Sequence, residues 1–213
     1  MTSINSKADA QPGLALATTA TLAVLAWSVW HPYDLATWWM EVAPILIVLP
    51  LLWLTRRSFP LTPLLYTLIA LHAIVLAIGG HYTYARVPAG FWVQESFDLG
   101  RNHYDRLGHL MQGFVPAIAA RELLLRRTPL RAGGWMFALV TLVCLGISAL
   151  YELIEFGAAM GLGQGADEFL GTQGDPWETQ KDMLMAWIGA MGAQWRLARW
   201  HDAQLARLPV SRS

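Results

Sequence analysis

The chain has 213 residues, of which 55% are hydrophobic and 14% are charged, and its formal net charge is zero. In soluble domains about a quarter of all residues are charged, so this composition indicates a membrane protein rather than an ordinary soluble one. The single cysteine, Cys144, excludes an internal disulfide and leaves the redox compartment undetermined.

Six apolar segments follow one another along the chain, each of roughly 17 to 25 residues, the length that crosses about 30 Å of hydrocarbon as a helix. They cover residues 13–30, 38–54, 62–79, 103–125, 135–159 and 176–197. We therefore predict an all-α, polytopic membrane protein with about six transmembrane helices in one bundle. Residues 1–12 are predicted to be a cytoplasmic N-terminal segment, residues 13–200 the six-helix transmembrane domain, and residues 201–213 a cytoplasmic tail.

The basic residues predict the orientation of this bundle. If the N-terminus is cytoplasmic, eleven of the 15 Lys and Arg residues lie inside and four lie outside. This distribution satisfies the positive-inside rule and places both termini in the cytoplasm. The longest outward connection is then 80–102. Because topology explains the short basic clusters, nucleic-acid binding has no separate support.

Polar side chains gather at the predicted outer ends of the later segments. Asp105 and His109 are four residues apart near the start of the fourth segment, so they share a helix face. Glu152 and Glu155 lie near the outer end of the fifth, and Asp182 lies early in the sixth. A carboxylate in hydrocarbon costs roughly 2.5 kcal/mol or more, which predicts that these groups face a shared, outward polar cavity.

This cluster has three interpretations that the spacing leaves open: general acid and base catalysis, divalent metal binding, or a structural network that fixes helix packing. The catalytic candidates are Asp105, His109, Glu152, Glu155 and Asp182. The metal-ligand candidates are His109, Glu152, Glu155 and Asp182. No H-E-x-x-H motif and no histidine pair at four-residue spacing is present, so neither a metal nor any other cofactor is specified.

Residues around the cluster are candidates for ligand binding. They are His81, Tyr84, Asn102, His103, Arg106, Gln173 and Asp175. Arg101 and Arg106 have two interpretations: they neutralise the nearby carboxylates, or they bind the phosphate of an anionic lipid headgroup, because a guanidinium pairs well with both groups. At the other end of the fourth segment, Glu122 and Arg126 are expected to form an ordinary ion pair on the helix surface.

Five stretches of the chain carry a resemblance: WWMEVAP, GGHYTYA, RNHYDRLGHLMQGFVPA, SALYELIE and FLGTQGDPWETQKDM. Together they resemble the YjdF type of bacterial inner-membrane protein, a family classed as a domain of unknown function. The resemblance implies a location in the bacterial inner membrane and a multi-helix fold. It implies no activity.

A more distant similarity is to VanZ-like proteins. The positions that match the motifs of that group are Asp105, His109, Glu152, Asp182 and Gly189. Arg106, Glu155 and Ala186 stand where those motifs have lysine, glutamine and asparagine. Because of these three departures, the similarity implies no defined ligand or chemistry.

These observations favour a cell-envelope protein that binds or processes a lipid or lipid-linked molecule at an outward-facing intramembrane polar site. Two alternatives remain: a structural or accessory membrane subunit, and a small-solute or proton-coupled transporter. A transporter would need a polar path to the cytoplasmic side. The lipid bilayer is the one partner that the sequence specifies, and neither an enzymatic activity nor an oligomeric state follows from it.

Overall fold

A computed structural model of the protein describes residues 10–162 and 175–208, with side chains from residue 14 to residue 161 in the first range. Within these residues the chain forms seven α-helices and one short 3-10 turn. The helices are α1 (Ala10–Ser28), α2 (Leu35–Thr55), α3 (Pro63–Tyr82), α4 (Pro88–Ser96), α5 (Tyr104–Arg127), α6 (Gly134–Leu162) and α7 (Glu178–Leu205). The 3-10 turn covers Tyr84–Arg86, between α3 and α4.

Six of these helices, all but α4, coincide with the six predicted segments. The predicted all-α, multi-helix membrane fold is confirmed. Three of the helices, α2, α3 and α6, are long and apolar enough to cross a membrane on length and composition, and the apolar part of α1 is shorter. The total of six spans stays a prediction, since α5 and α7 carry many polar residues.

The short helix α4 was not predicted within the 80–102 connection. Pro88 occupies its first turn, where a proline is well tolerated because its missing N–H would have no partner in the helix. Gly90 of α4 packs directly on Asn102, because a Cβ at Gly90 would lie 1.8 Å from Asn102 Oδ1. Asn102 Nδ2 also donates to the Val87 carbonyl at 2.9 Å. The connection is thereby folded back onto the start of α5.

Cross-helix hydrogen bonds define the two ends of the bundle. At one end Trp38 Nε1 of α2 donates to Ser28 Oγ of α1 at 3.0 Å, and Tyr151 of α6 donates to Glu41 of α2 at 3.3 Å. We call this the cluster end; α2, α5 and α7 begin there, and α1, α3 and α6 end there. At the opposite end the Leu64 N–H of α3 donates to Gln204 of α7 at 2.8 Å. The start of α1 and the end of α7 therefore lie at the same end of the bundle.

Two helix starts show how the sequence sets these ends. Asp34 caps α2 by accepting the Thr37 N–H at 2.7 Å, and this hydrogen bond lowers the pKa of the Asp34 carboxyl. Thr62 caps α3 by accepting the Leu65 N–H at 3.3 Å, and Pro63 follows at the first helical position. Both are side chains that satisfy backbone N–H groups left free at a helix start.

Helices α5 and α7 make the closest contact in the described part of the bundle. A Cβ at Gly113 of α5 would lie 1.8 Å from the Ala186 carbonyl oxygen of α7, and a Cβ at Gly189 would lie 2.1 Å from the Leu110 carbonyl oxygen. Small residues allow helix backbones to approach in this way inside membranes. This contact places the first turns of α7 beside those of α5, where Asp105 and His109 lie.

Candidate functional site

His109 lies at the centre of the polar cluster and is only 5% exposed. Its Nε2 is 3.6 Å from Asp105 Oδ1 and 3.9 Å from Asp182 Oδ1. Its Nδ1 is 3.8 Å from Glu152 Oε1. One ligand atom each from His109, Glu152 and Glu155 can be chosen so that all lie within 4.8 Å of one another. The structure thus brings together all five catalytic candidates, whose catalytic role stays a prediction.

Arg106, the neighbour of Asp105, is bound by carboxylates of the α7 region. It donates to Asp182, to Glu178 Oε2 at 2.8 Å and to Asp175 Oδ2 at 3.5 Å. Arg101 also contacts Glu178, at 2.5 Å. Arg106 does not line the neighbouring cavity between α2, α3, α5 and α6. An anionic headgroup at Arg106, as expected from the sequence, would have to displace these carboxylates.

A cavity of about 360 Å³ runs beside the cluster between α2, α3, α5 and α6. Its polar lining at the cluster end comprises Glu41, Tyr84, Asp105, His109, Gln112, Tyr151 and Glu155. Its deeper lining is mainly apolar and includes Ile45, Val48, Ile69, Val115 and Ala119, together with one polar residue, His72. From Asp105 to Ala119 the cavity follows roughly 21 Å of α5, at 1.5 Å per residue. The cavity is therefore polar at the cluster end and mainly apolar along the rest of its length.

The cavity opens between α2 and α6. Helix α2 packs on α3, and α6 packs on α5 and α7. At the cluster end, a hydrogen bond from Tyr151 to Glu41 joins α6 to α2. Ile147 of α6 lines the cavity and is 41% exposed. Since both flanking helices are apolar enough to cross a membrane, this opening would face lipid.

Two ligand-binding candidates have structural partners away from the cavity lining. His81 Nδ1 lies 3.0 Å from the Ser28 carbonyl oxygen, and its ring centroid is 4.4 Å from that of Trp27. His81 thus links α3 to α1. Asn102 is 1% exposed and accepts the Tyr104 N–H at 3.0 Å, besides its contact with α4. Tyr84, in contrast, does line the cavity.

The remaining ligand-binding candidates lie at the start of α5 and ahead of α7. Partial burial lowers the pKa of His103, which directly precedes α5, and the nearby guanidinium groups lower it further. Asp175 accepts a hydrogen bond from Lys181 at 2.5 Å, which lowers the pKa of its carboxyl. Helix α7 begins at Glu178, three residues after Asp175. Gln173 lies outside the described residues.

Three acidic or phenolic residues of the site were not predicted as site residues. Glu41 is 5% exposed and lines the cavity, Tyr151 lines it beside Glu41, and Glu178 is 6% exposed against Arg106. A lone carboxylate such as Glu41 within an apolar segment is itself a signal of a functional position. Tyr151 carries no comparable signal, because a tyrosine near a segment end is usually an interfacial residue.

A second buried network lies at the opposite end of the bundle. Glu122 is fully buried and accepts hydrogen bonds from Thr62 Oγ1 at 2.8 Å and from Arg126 at 2.6 Å. It also lies 3.0 Å from His201 Nε2. The expected surface location of the Glu122–Arg126 pair was therefore wrong, although the pair itself is present. The reason is that α3 and α7 cover this face of α5.

The cluster end holds more acids than bases. Six carboxylates, those of Glu41, Asp105, Glu152, Glu155, Glu178 and Asp182, accompany Arg101, Arg106 and His109. Six acids against three bases leave three carboxylates without a basic partner in this group, even with His109 protonated. Buried charge without compensation is costly. The arrangement is suited to holding protons or a cation.

Fold and site together define a polytopic helical membrane protein with a buried histidine–carboxylate cluster beside an amphiphilic cavity. The chain belongs to the family described as "Predicted membrane protein (DUF2238)", which matches residues 13–203. It is also 56% identical over 191 residues to "Inner membrane protein YjdF" of Escherichia coli (strain K12), which covers 90% of this chain and 91% of that protein. No solved structure matches the chain significantly. The resemblance to the YjdF type is thus confirmed, and the VanZ-like similarity stays a prediction.

Proposed function

We propose that the protein binds or processes a lipid or lipid-linked molecule of the bacterial cell envelope. The observation that carries this proposal is the cavity, which is polar at the cluster end, mainly apolar for the rest of its length and open between α2 and α6. An amphiphile has the same division into a polar head and an apolar chain. Its head would lie among Glu41, Asp105 and His109, and its chain would lie against residues such as Val48 and Val115.

The bacterial inner membrane is the proposed location, on the basis of the name of the Escherichia coli relative. The positive-inside distribution of Lys and Arg supports cytoplasmic termini. The start of α1 and the end of α7 lie at one end of the bundle, which agrees with both termini being on one side. In this orientation the cluster end faces outward, so a ligand would enter from the outer leaflet.

The residues of the cluster fall into two groups, those that line the cavity and those that do not. His109, Asp105 and Glu155 line the cavity and would contact the ligand, whereas Glu152 and Asp182 lie behind them. Without a bound metal, a histidine flanked by carboxylates is suited to proton transfer with a hydroxyl or water in the cavity. We propose His109, Asp105 and Glu155 as the groups that act on the ligand if it is processed. Glu152 and Asp182 would position His109.

The head group that this site favours differs from the anionic one expected at Arg106. Acidic and phenolic side chains dominate the polar lining, and Arg106 is occupied by Asp182 and Glu178. Such a lining favours a head group that is neutral and rich in hydroxyls, or cationic. An anionic head group would need a bound cation to offset the carboxylates.

Transport is less well supported by the geometry. The cavity lining ends at Ala119 on α5, and Glu122 follows within one helical turn. At that level the Glu122 carboxylate is hydrogen-bonded to the side chains of Thr62, Arg126 and His201. A solute crossing the bundle would have to break this buried network. The structural or accessory alternative gives no reason for an open, amphiphilic cavity.

Native mass spectrometry of the full-length protein, extracted from bacterial membranes in mild detergent, tests the proposal. Wild type should retain a lipid adduct. Ala119→Phe, which fills the apolar part of the cavity, should lose most of it, whereas Ala203→Phe, at an exposed position of α7, should keep it. Equal adduct retention in all three proteins, or none in wild type, would contradict binding in this cavity.

A further inference from the structure

We propose that His109, Glu152 and Glu155 form a binding site for a divalent first-row metal cation at the polar end of the cavity. One ligand atom from each residue lies within 4.8 Å of the other two. Metal bonds to imidazole nitrogen and carboxylate oxygen are about 2.0 to 2.2 Å long, so three ligands around one ion lie roughly 3 to 4 Å apart. Modest side-chain rotations would therefore close the set around a cation.

A second observation points to a ligand at this position. Glu152 is 8% exposed, and within the described residues its Oε1 is a buried oxygen without a hydrogen-bond donor. This oxygen lies 3.8 Å from His109 Nδ1, so it faces the centre of the set. A buried carboxylate oxygen without a partner is costly. A cation between Glu152 and His109 would satisfy it.

The neighbouring side chains favour this set over the alternative of Asp105, His109 and Asp182. Asp182 already accepts a hydrogen bond from Arg106, and a guanidinium there would repel a second cation. Asp105 instead lies 3.6 Å from His109 Nε2. It can hold the ring proton on Nε2 and leave Nδ1 free for the metal, as carboxylates behind metal-bound histidines commonly do.

Gln112 makes the site adaptable. Its Oε1 lies 3.2 Å from His109 Nδ1. A metal ion bound to Nδ1 would occupy the position that this oxygen now holds. When a cation binds Nδ1, the Gln112 amide must turn aside or contribute its oxygen as a further ligand. Gln112 also lines the cavity, which gives its side chain room for either movement.

One imidazole and two carboxylates suit Mn²⁺, Fe²⁺ or Zn²⁺, and three protein ligands leave positions open for other donors. His109 and Glu155 line the cavity, so these positions would face it. A bound cation would then accept an oxygen of a hydroxyl, a phosphate or water from a molecule in the cavity. This inference goes beyond lipid binding, because the three ligands can hold a cation whether or not the cavity holds a lipid.

Titration of the full-length protein with Mn²⁺ or Zn²⁺, after chelator treatment and delipidation in detergent, tests the site. Wild type should bind about one equivalent. Glu152→Gln and Glu155→Gln should weaken binding by at least ~10-fold, whereas Glu95→Gln, at an exposed position of α4, should not. Absence of stoichiometric binding to wild type would overturn the proposal. So would an Asp182→Asn variant that loses the cation while folded Glu152→Gln keeps it.

A measurement on wild type alone covers the case in which the variants fail to fold. Pulsed electron paramagnetic resonance of the Mn²⁺-loaded protein should show coupling to one imidazole nitrogen, and the signal should change when histidine is labelled with ¹⁵N. Stoichiometric Mn²⁺ without such coupling would contradict the proposal. Cation binding by lipid-free wild type would support it even if Ala119→Phe left the lipid adduct unchanged.

Discussion

Glu122 of α5 and His201 of α7 lie 3.0 Å apart, from Oε2 to Nε2, and both side chains are fully buried. Arg121 approaches His201 from the other side, with its Nη1 atom 2.9 Å from His201 Nδ1. The histidine therefore lies between an acid and a base. This network joins α5 to α7 at the end of the bundle opposite the cluster.

Removing the acid of this network should destabilise the fold. Glu122→Ala leaves Arg126, His201 and the Thr62 hydroxyl without their shared acceptor, and breaking a buried ion pair costs roughly 3 to 5 kcal/mol. For a chain of this size we expect Tm to fall by about 10 °C. Thermal unfolding in detergent measures this. Glu95→Ala, at an exposed position of α4, is the control, and an equal effect of both variants would contradict a structural role for Glu122.

The close contact of α5 and α7 predicts a difference between two glycines of one helix. A Cβ at Gly189 would lie 2.1 Å from the Leu110 carbonyl oxygen, whereas a Cβ at Gly192 meets nothing within 4 Å. Gly189→Ala must push the helices apart and should lower Tm by several degrees. Gly192→Ala should leave Tm unchanged or raise it slightly, because alanine favours the helix. If Gly189→Ala is as stable as wild type, the backbones do not approach as described.

The Arg106–Asp182 contact predicts energetic coupling between α5 and α7 at the cluster end. Arg106→Ala and Asp182→Ala should each destabilise the protein, and the double variant should lose less than the sum of the two. The expected coupling is about 1 to 3 kcal/mol, as for residues of one buried network. Arg131→Ala, at an exposed position, provides the uncoupled control. Additive effects of Arg106→Ala and Asp182→Ala would show that the two side chains act independently.

The proposed orientation predicts which loops a reagent can reach from outside the cell. Glu95 lies on α4 at the cluster end, and Ala132 lies in the connection between α5 and α6 at the opposite end; both are exposed. In a Cys144→Ala background, a membrane-impermeant maleimide should label Glu95→Cys in spheroplasts. Ala132→Cys should be labelled only after permeabilisation. The reverse pattern would place the cluster end in the cytoplasm and exclude entry from the outer leaflet.

Much of the fold could be predicted because apolar length is a local property of the sequence. A run of about 20 apolar residues predicts a long helix without knowledge of its neighbours, so six long helices were found. The nine residues of α4 leave no comparable signal, since Gly90 and Asn102 define that helix through a contact between distant positions. Helix α7 also continues to Leu205, beyond residue 197, where the sixth predicted apolar segment ends.

The candidate site was predictable only in part, for the same reason. Asp105 and His109 share a helix face by spacing alone, and the cost of buried carboxylates made a common location for the rest reasonable. That carboxylates neutralise Arg106 was one of two predictions, but which ones do so could not be predicted, because this depends on the approach of α5 to α7 at Gly113. The buried position of His201 could not be predicted, because no local sequence pattern shows that this residue lies opposite Glu122.

The most direct test of the amphiphile site is a cryo-electron microscopy structure of the full-length protein in nanodiscs made from native lipids. Our account predicts elongated density in the cavity between α2 and α6. Its polar end should lie within hydrogen-bonding distance of Glu41, Asp105 or His109, and its chain should extend toward Ala119. A cavity closed by its own side chains, or one that holds only water along this length, would contradict the account.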